Sequence, residues 1–135
     1  MFSHVFLGVS DFDRAVAFYD GLLAPLGHCR RFCDPTRPWA GWQTADGGRP
    51  LLLIGRPFDG APHQPGNGQM LALSADTRAQ VDAAWRFALA HGGADEGAPG
   101  LRPAYHPDYY GAYFRDPDGN VLEFNQLIHP NGDPR

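Results

Sequence analysis

The sequence predicts an α+β protein made of two βαβββ modules whose curved mixed sheets surround a cleft. Three observations lead there. One order of elements, strand, helix and three short strands, is written twice along 135 residues. An offset of 66 positions superposes Leu7 on Leu73, Tyr19 on Trp85, Leu23 on Leu89 and Gly27 on Gly93. A Gly/Pro-rich stretch at 58–68 separates the two copies. The reading is one domain over 1–130, with module 1 at about 2–57, module 2 at about 69–128, and a disordered tail at 131–135.

In the first copy, residues 3–9 alternate as a strand, and Ser10-Asp11-Phe12-Asp13 offers N-cap chemistry. An amphipathic helix follows, with Val16, Phe18, Tyr19, Leu22 and Leu23 as its apolar stripe and Gly27 as its stop. Three strand-like runs come next, at 29–33, 39–44 and 51–54. The second copy repeats this with a strand at 69–75, a cap at Asp76-Thr77, and a stripe of Val81, Ala84, Trp85, Ala88 and Leu89 that ends at Gly92-Gly93. Its later strands are expected at about 100–105, 110–114 and 121–127. Between the last two, Asp116-Pro117-Asp118-Gly119 forms a tight turn: Asp bonds nearby backbone, Pro presets φ, and Gly supplies positive φ.

Composition narrows the function. The net charge is -4, from 15 acidic and 11 basic residues, and every basic residue is Arg. No basic cluster exceeds Arg30-Arg31, so nucleic acid and anionic membrane are not expected partners. No apolar run approaches the roughly 20 residues that span a bilayer, and no charged-then-apolar leader precedes the first strand, which predicts a cytoplasmic protein. Cys29 and Cys33, four apart, fit neither a zinc or redox pair nor a disulfide framework and are read as reduced thiols.

Each module has one helix, enough for one face of its sheet, so the other face needs a ligand or a partner. Period-two alternation assigns Val5, Leu7, Val9, Leu52, Ile54, Leu71, Leu73, Leu122 and Phe124 to the helix side. The open side then carries His4, Phe6, Leu51, Leu53, Met70, Ala72, Val121, Glu123 and Asn125, an apolar cup with one imidazole and one carboxylate. Glu123 is either a working carboxylate or part of a solvated strand face. His106, in the aromatic loop Tyr105-His106-Pro107-Asp108-Tyr109-Tyr110, is either a third site residue or a loop histidine bonded to backbone or water. Trp39, Trp42, Tyr109, Tyr110 and Tyr113 are either flat ligand walls or core and rim.

The paired βαβββ pattern, His4 in the first strand, the helix Asp13-Arg14-Ala15-Val16-Ala17-Phe18-Tyr19 and the closing Asp116-Pro117-Asp118-Gly119-Asn120-Val121-Leu122-Glu123 resemble the glyoxalase, bleomycin-resistance and ring-cleaving dioxygenase superfamily, the vicinal oxygen chelate proteins, over about residues 2–128. The resemblance implies a lyase- or isomerase-like enzyme, or a dioxygenase relative, acting on a small carbonyl or vicinal-oxygen compound. It implies His4 and Glu123 as the first and last ligands of a divalent metal (Zn, Ni, Mn or Fe). The two middle ligand positions hold Leu53 and Met70, which implies a metal absent or weakly bound, since a thioether is a soft ligand. Without metal, Glu123 becomes a general base and His4 or His106 a hydrogen-bond donor to a carbonyl or enolate oxygen, or the pair is structural. The alternative function is a metal-free protein of the bleomycin-resistance type that sequesters a small molecule. The resemblance also implies a homodimer, since relatives commonly pair and sometimes exchange modules.

Overall fold

The computed structural model describes residues 1–127, so His129 and the tail expected at 131–135 lie outside the described residues. The chain forms two compact units, one over Met1–Pro65 and one from Gly66 onward.

In the first unit, β1 (His4–Gly8) leads into α1 (Phe12–Leu23), a 3-10 turn (Ala24–Leu26), β2 (Cys29–Asp34), β3 (Trp39–Gln43) and β4 (Leu51–Gly55). Asp11 caps α1 by accepting from the Arg14 amide, and Gly27 closes the 3-10 turn at φ 81°, a conformation that suits a residue without Cβ. The sheet order is β1-β4-β3-β2, with β1 parallel to β4 and the other pairs antiparallel. One sheet face is covered by α1: Phe18, Tyr19, Leu22 and Leu23 are buried, and Tyr19 meets the Trp42 ring at 5.8 Å.

The second unit repeats the plan with β5 (Leu71–Ser74), α2 (Arg78–Ala90), β6 (Ala94–Leu101), β7 (Tyr110–Arg115) and β8 (Val121–Gln126), in sheet order β5-β8-β7-β6. Thr77 and Gln80 form a capping box that satisfies amides at both sides of the α2 start. Ala112, Phe114, Leu122 and Phe124 are fully buried on the α2 side of the sheet. The α2 stripe is narrower than its periodicity predicts: Val81, Ala84 and Ala88 are buried, whereas Leu89 is exposed.

One strand departs from expectation. β6 starts at Ala94 and ends at Leu101, not at 100–105, and Arg102 to Tyr109 form a loop. Asp95, Gly97, Pro99 and Gly100 read as breakers, yet β6 is an edge strand whose register shifts between Asp95 and Gly97 and again before Gly100. An edge tolerates Pro and Gly at such irregularities because only one side of the ladder is used. No described helix is long and apolar enough to cross a membrane.

Candidate active site around Glu123

The site begins with the turn that delivers β8. The Asp116 carboxylate, buried, accepts from the amides of Asp118 and Asn120 and from the Asn120 side chain, each at 2.9 Å. Gly119, at φ 87°, completes the reversal, and its amide donates to the Asp116 carbonyl. This fixes the register in which Tyr113 faces Glu123, Gly111 faces Asn125, and Ala72 of β5 flanks Glu123 on the other side. Because side chains alternate, Glu123 and Asn125 share the face opposite α2 with Tyr113, Gly111 and Ala72.

Glu123 is only 2% exposed, so it is not part of a solvated strand face. Its Oε2 accepts a short hydrogen bond from the Tyr109 hydroxyl and a second, at 2.9 Å, from the Asn125 amide. Both donors are neutral. A Cβ at Gly111 would lie 3.3 Å from the Tyr109 ring and 3.5 Å from Oε2, so the glycine leaves the space in which phenol and carboxylate meet. Burial, and then the bond to Glu123, push the Tyr109 phenol well above its ordinary value. Burial, followed by the Glu123 charge, pushes Tyr113 up to about 12. Both phenols are therefore protonated donors at neutral pH.

Tyr109 comes from the Arg102–Tyr109 loop, which closes on itself: the Arg102 amide donates to the Tyr109 carbonyl at 2.7 Å, and the Tyr105 amide donates to the Arg102 carbonyl. The Tyr105 and Tyr109 rings meet edge to face at 5.2 Å. Sequence reasoning missed Tyr105, Arg102 and Gly111, because their places depend on loop closure and on cross-strand register rather than on periodicity.

The expected histidines make local hydrogen bonds. His106 points its Nδ1 at the Asp108 amide, 3.0 Å away; since an amide only donates, this nitrogen accepts and the ring proton of the neutral imidazole sits on Nε2. Its bond is local, as a loop histidine's would be. His4 is exposed, with its Nδ1 3.1 Å from the Ser3 hydroxyl. Two aromatic expectations are corrected. Trp42 lies on the α1 side, where its Nε1 donates to Asp20 at 2.9 Å, and Tyr110 lies on the α2 side, donating to Asp82 at 2.6 Å. A residue three positions from Trp39 on a strand must face the other way, and Tyr110 has the same parity as Ala112 and Phe114.

Trp39 keeps to the open face of the first sheet: its ring meets Phe32 at 4.7 Å and carries the Arg37 guanidinium at 4.8 Å. Leu53 is buried on that face opposite Gly41, and Phe6, 44% exposed, pairs with it from β1. Met70 is 47% exposed at the entry to β5.

A divalent metal does not fit this donor set. Among the described residues, no three His, Cys, Asp or Glu side chains come together as a ligand cluster. The groups around Glu123 are a protonated phenol and an amide, and the other two ligand positions hold an alkyl chain and a thioether.

A sequence model of the Glyoxalase/Bleomycin resistance protein/Dioxygenase superfamily matches residues 1–124. A crystal structure of a glyoxalase/bleomycin resistance protein from Albidiferax ferrireducens T118 is similar at 35% identity and TM-score 0.82, covering 93% of this chain and 98% of that one. A lactoylglutathione lyase from Agrobacterium tumefaciens is similar at 25% identity and TM-score 0.63, covering 93% and 92%. A glyoxalase/bleomycin resistance protein/dioxygenase family enzyme from Burkholderia phytofirmans PsJN shares the fold at 23% identity and TM-score 0.69, covering 91% and 95%. No curated protein matches the chain. With the fold, the closing turn and the match over residues 1–124 in agreement, this chain belongs to the glyoxalase/bleomycin resistance protein/dioxygenase superfamily.

Proposed function

We propose that this protein is a lyase- or isomerase-type enzyme that moves a proton on a small carbonyl compound, with Glu123 as general base and Tyr109 as electrophilic donor. The observation that carries the reading is a buried carboxylate whose direct partners are two neutral donors, Tyr109 and Asn125. Asp116 is held as deeply by neutral donors, but those belong to its own turn; the donors to Glu123 are a loop phenol and a side chain on the open sheet face, which a bound ligand can displace.

The step balances with these groups alone. The Tyr109 proton turns from Oε2 to the substrate carbonyl oxygen. Oε2, relieved of one donor, takes the proton from the carbon next to that carbonyl, and the C–H electron pair passes into the enolate. Tyr109 holds the developing oxyanion by a hydrogen bond and keeps its own proton, as a phenol of raised pKa does. Protonated Glu123 then returns the proton to the same or a neighbouring carbon, or the enolate expels a leaving group. Asn125 keeps the carboxylate oriented throughout. Catalytic roles for His4 and His106 are not needed, and their bonds to Ser3 and Asp108 favour leaving them out.

The test is solvent deuterium uptake by a panel of small ketones and aldehydes, followed by NMR. Uptake catalysed by the native protein is expected to fall about 10²–10⁴-fold in Glu123→Gln, the usual range for a positioned base. Equal uptake by the two proteins would overturn the assignment.

A second reading, sequestration of a hydrophobic small molecule, is favoured by the apolar open face of the first sheet, where Phe6, Leu53, Phe32 and Trp39 collect. It predicts ligand binding that survives Glu123→Gln with no turnover in either protein. In both readings the partner is a small molecule and the assembly a homodimer, as the family resemblance implies.

A further inference from the structure

We infer that Arg102 is the anion anchor of this site, and that the protein takes a small oxo acid whose carboxylate is carried by the carbonyl carbon itself, next to the carbon that loses its proton. The inference rests on the proposed role of Glu123 and adds the substrate class.

Three observations carry it. Arg102 is half-buried and has no carboxylate partner among the described residues, unlike Arg30 and Arg115, which pair with Asp20 and Glu96. Its guanidinium is held instead by backbone, with Nη2 donating to the Ala98 carbonyl at 2.8 Å and Nη1 to that of Leu101 at 3.3 Å. A guanidinium has five N–H donors in a planar fork, so these two bonds fix its orientation and leave the others for a ligand.

It also lies where a ligand in the Glu123 site would reach it. A Cβ at Gly97 would come within 3.4 Å of Nη2, and one at Gly100 within 3.1 Å of Nη1; the fork rests over two residues that lack side chains. Gly97 faces Tyr113 in register, Tyr113 faces Glu123, and the Arg102 guanidinium stands 5.3 Å from the Tyr113 ring centre. Carboxylate and guanidinium therefore stand over β8 and β6, two strand spacings or about 9.5 Å apart, on one sheet face. Each group needs about 3 Å of hydrogen-bond or proton-transfer distance, which leaves about 3.5 Å between the ligand's carboxylate oxygen and the carbon that loses its proton, the span of a short 2-oxo acid. Charge sets the polarity. An anionic end is repelled from Glu123 and drawn to Arg102, which leaves the neutral carbonyl end at the base.

The probes are pyruvate and its neutral isostere pyruvamide, which place an exchangeable methyl ketone next to the charge. Affinity is read by NMR titration and deuterium uptake at the methyl group in the same tubes. The native protein is expected to bind the carboxylate about tenfold or more tightly than the amide, the scale of a charge-assisted bidentate contact. Arg102→Gln should abolish that preference while keeping the affinity for the amide, which also shows that the variant is folded. Glu123→Gln should keep the preference and lose the uptake. Equal affinity for both probes in the native protein, or a preference that survives Arg102→Gln, overturns the anchor. Uptake unchanged in Glu123→Gln, with the Arg102-dependent preference intact, overturns the base and leaves the anchor standing.

Discussion

A carboxylate taken almost wholly out of water costs several kcal/mol unless its lone pairs are satisfied, and at Glu123 a phenol and an amide do this work. Tyr109→Phe removes one donor and leaves the charge in place, so it should destabilise the protein by about 2 kcal/mol in urea unfolding at neutral pH. An unchanged midpoint would mean that Tyr109 contributes only its ring. The phenols also predict an alkaline response. Tyr113 rises from 10.0 to about 12, so its neutral form is favoured by folding. That contribution is complete below about pH 10 and is lost as pH rises from about 10 to about 12. Phenolate absorbance should accordingly show late steps for Tyr109 and Tyr113, of which Tyr113→Phe removes one; a titration complete by the ordinary tyrosine range would contradict it. Glu123 itself was legible as a lone carboxylate in an alternating apolar strand. Its partners were not, because Tyr109 reaches it from a loop whose closure by the Arg102 and Tyr109 backbone leaves no periodic trace.

At the scale of elements, the closing turn is where sequence and structure agree most closely, since each residue of Asp116-Pro117-Asp118-Gly119-Asn120 has one physical job. Asp116 takes three donors in a buried position, so Asp116→Ala should cost about 3 kcal/mol, whereas Asp116→Asn, which keeps an acceptor, should cost less. Denaturation midpoints for the two variants check the order; equal losses would mean that the charge, not the acceptor geometry, holds the turn. Thr77→Ala, which removes half of the α2 capping box, should cost about 1 kcal/mol by the same measurement. Helices and inner strands were readable from period and caps. β6 was not, because an edge strand that accommodates Gly97, Pro99 and Gly100 at register shifts looks like a loop to any propensity argument. The displacement of β6 hid the site, for it moved Arg102 and Tyr105 from a supposed strand into the loop that carries Tyr109.

Across the whole molecule, two copies of one plan have taken on different chemistry at matching positions. In the first unit Phe6 of β1 faces Leu53 of β4, which faces Gly41 of β3; in the second Ala72 of β5 faces Glu123 of β8, which faces Tyr113 of β7. A Cβ at Gly41 would meet Leu53 at 2.5 Å and Phe32 at 2.7 Å, so the first unit closes its open face over the glycine with apolar groups. The second unit builds a hydrogen-bonded carboxylate in the equivalent place. This asymmetry bears on metal binding. Catalytic divalent ions take about three protein ligands of N, O or thiolate type, and neither the Leu53 nor the Met70 position supplies one. The Oε2 of Glu123 is already bound by Tyr109 and Asn125, so Oε1 is the one ligand atom it offers without giving up those bonds. Protein purified without chelator should therefore hold far less than one zinc, nickel, manganese or iron per chain by plasma mass spectrometry, and His4→Ala should leave that content unchanged. Near-stoichiometric metal, lost in both His4→Ala and Glu123→Ala, would reverse the conclusion. It would make Glu123 a ligand first, and deuterium uptake would then depend on added metal rather than on the carboxylate and Tyr109 alone.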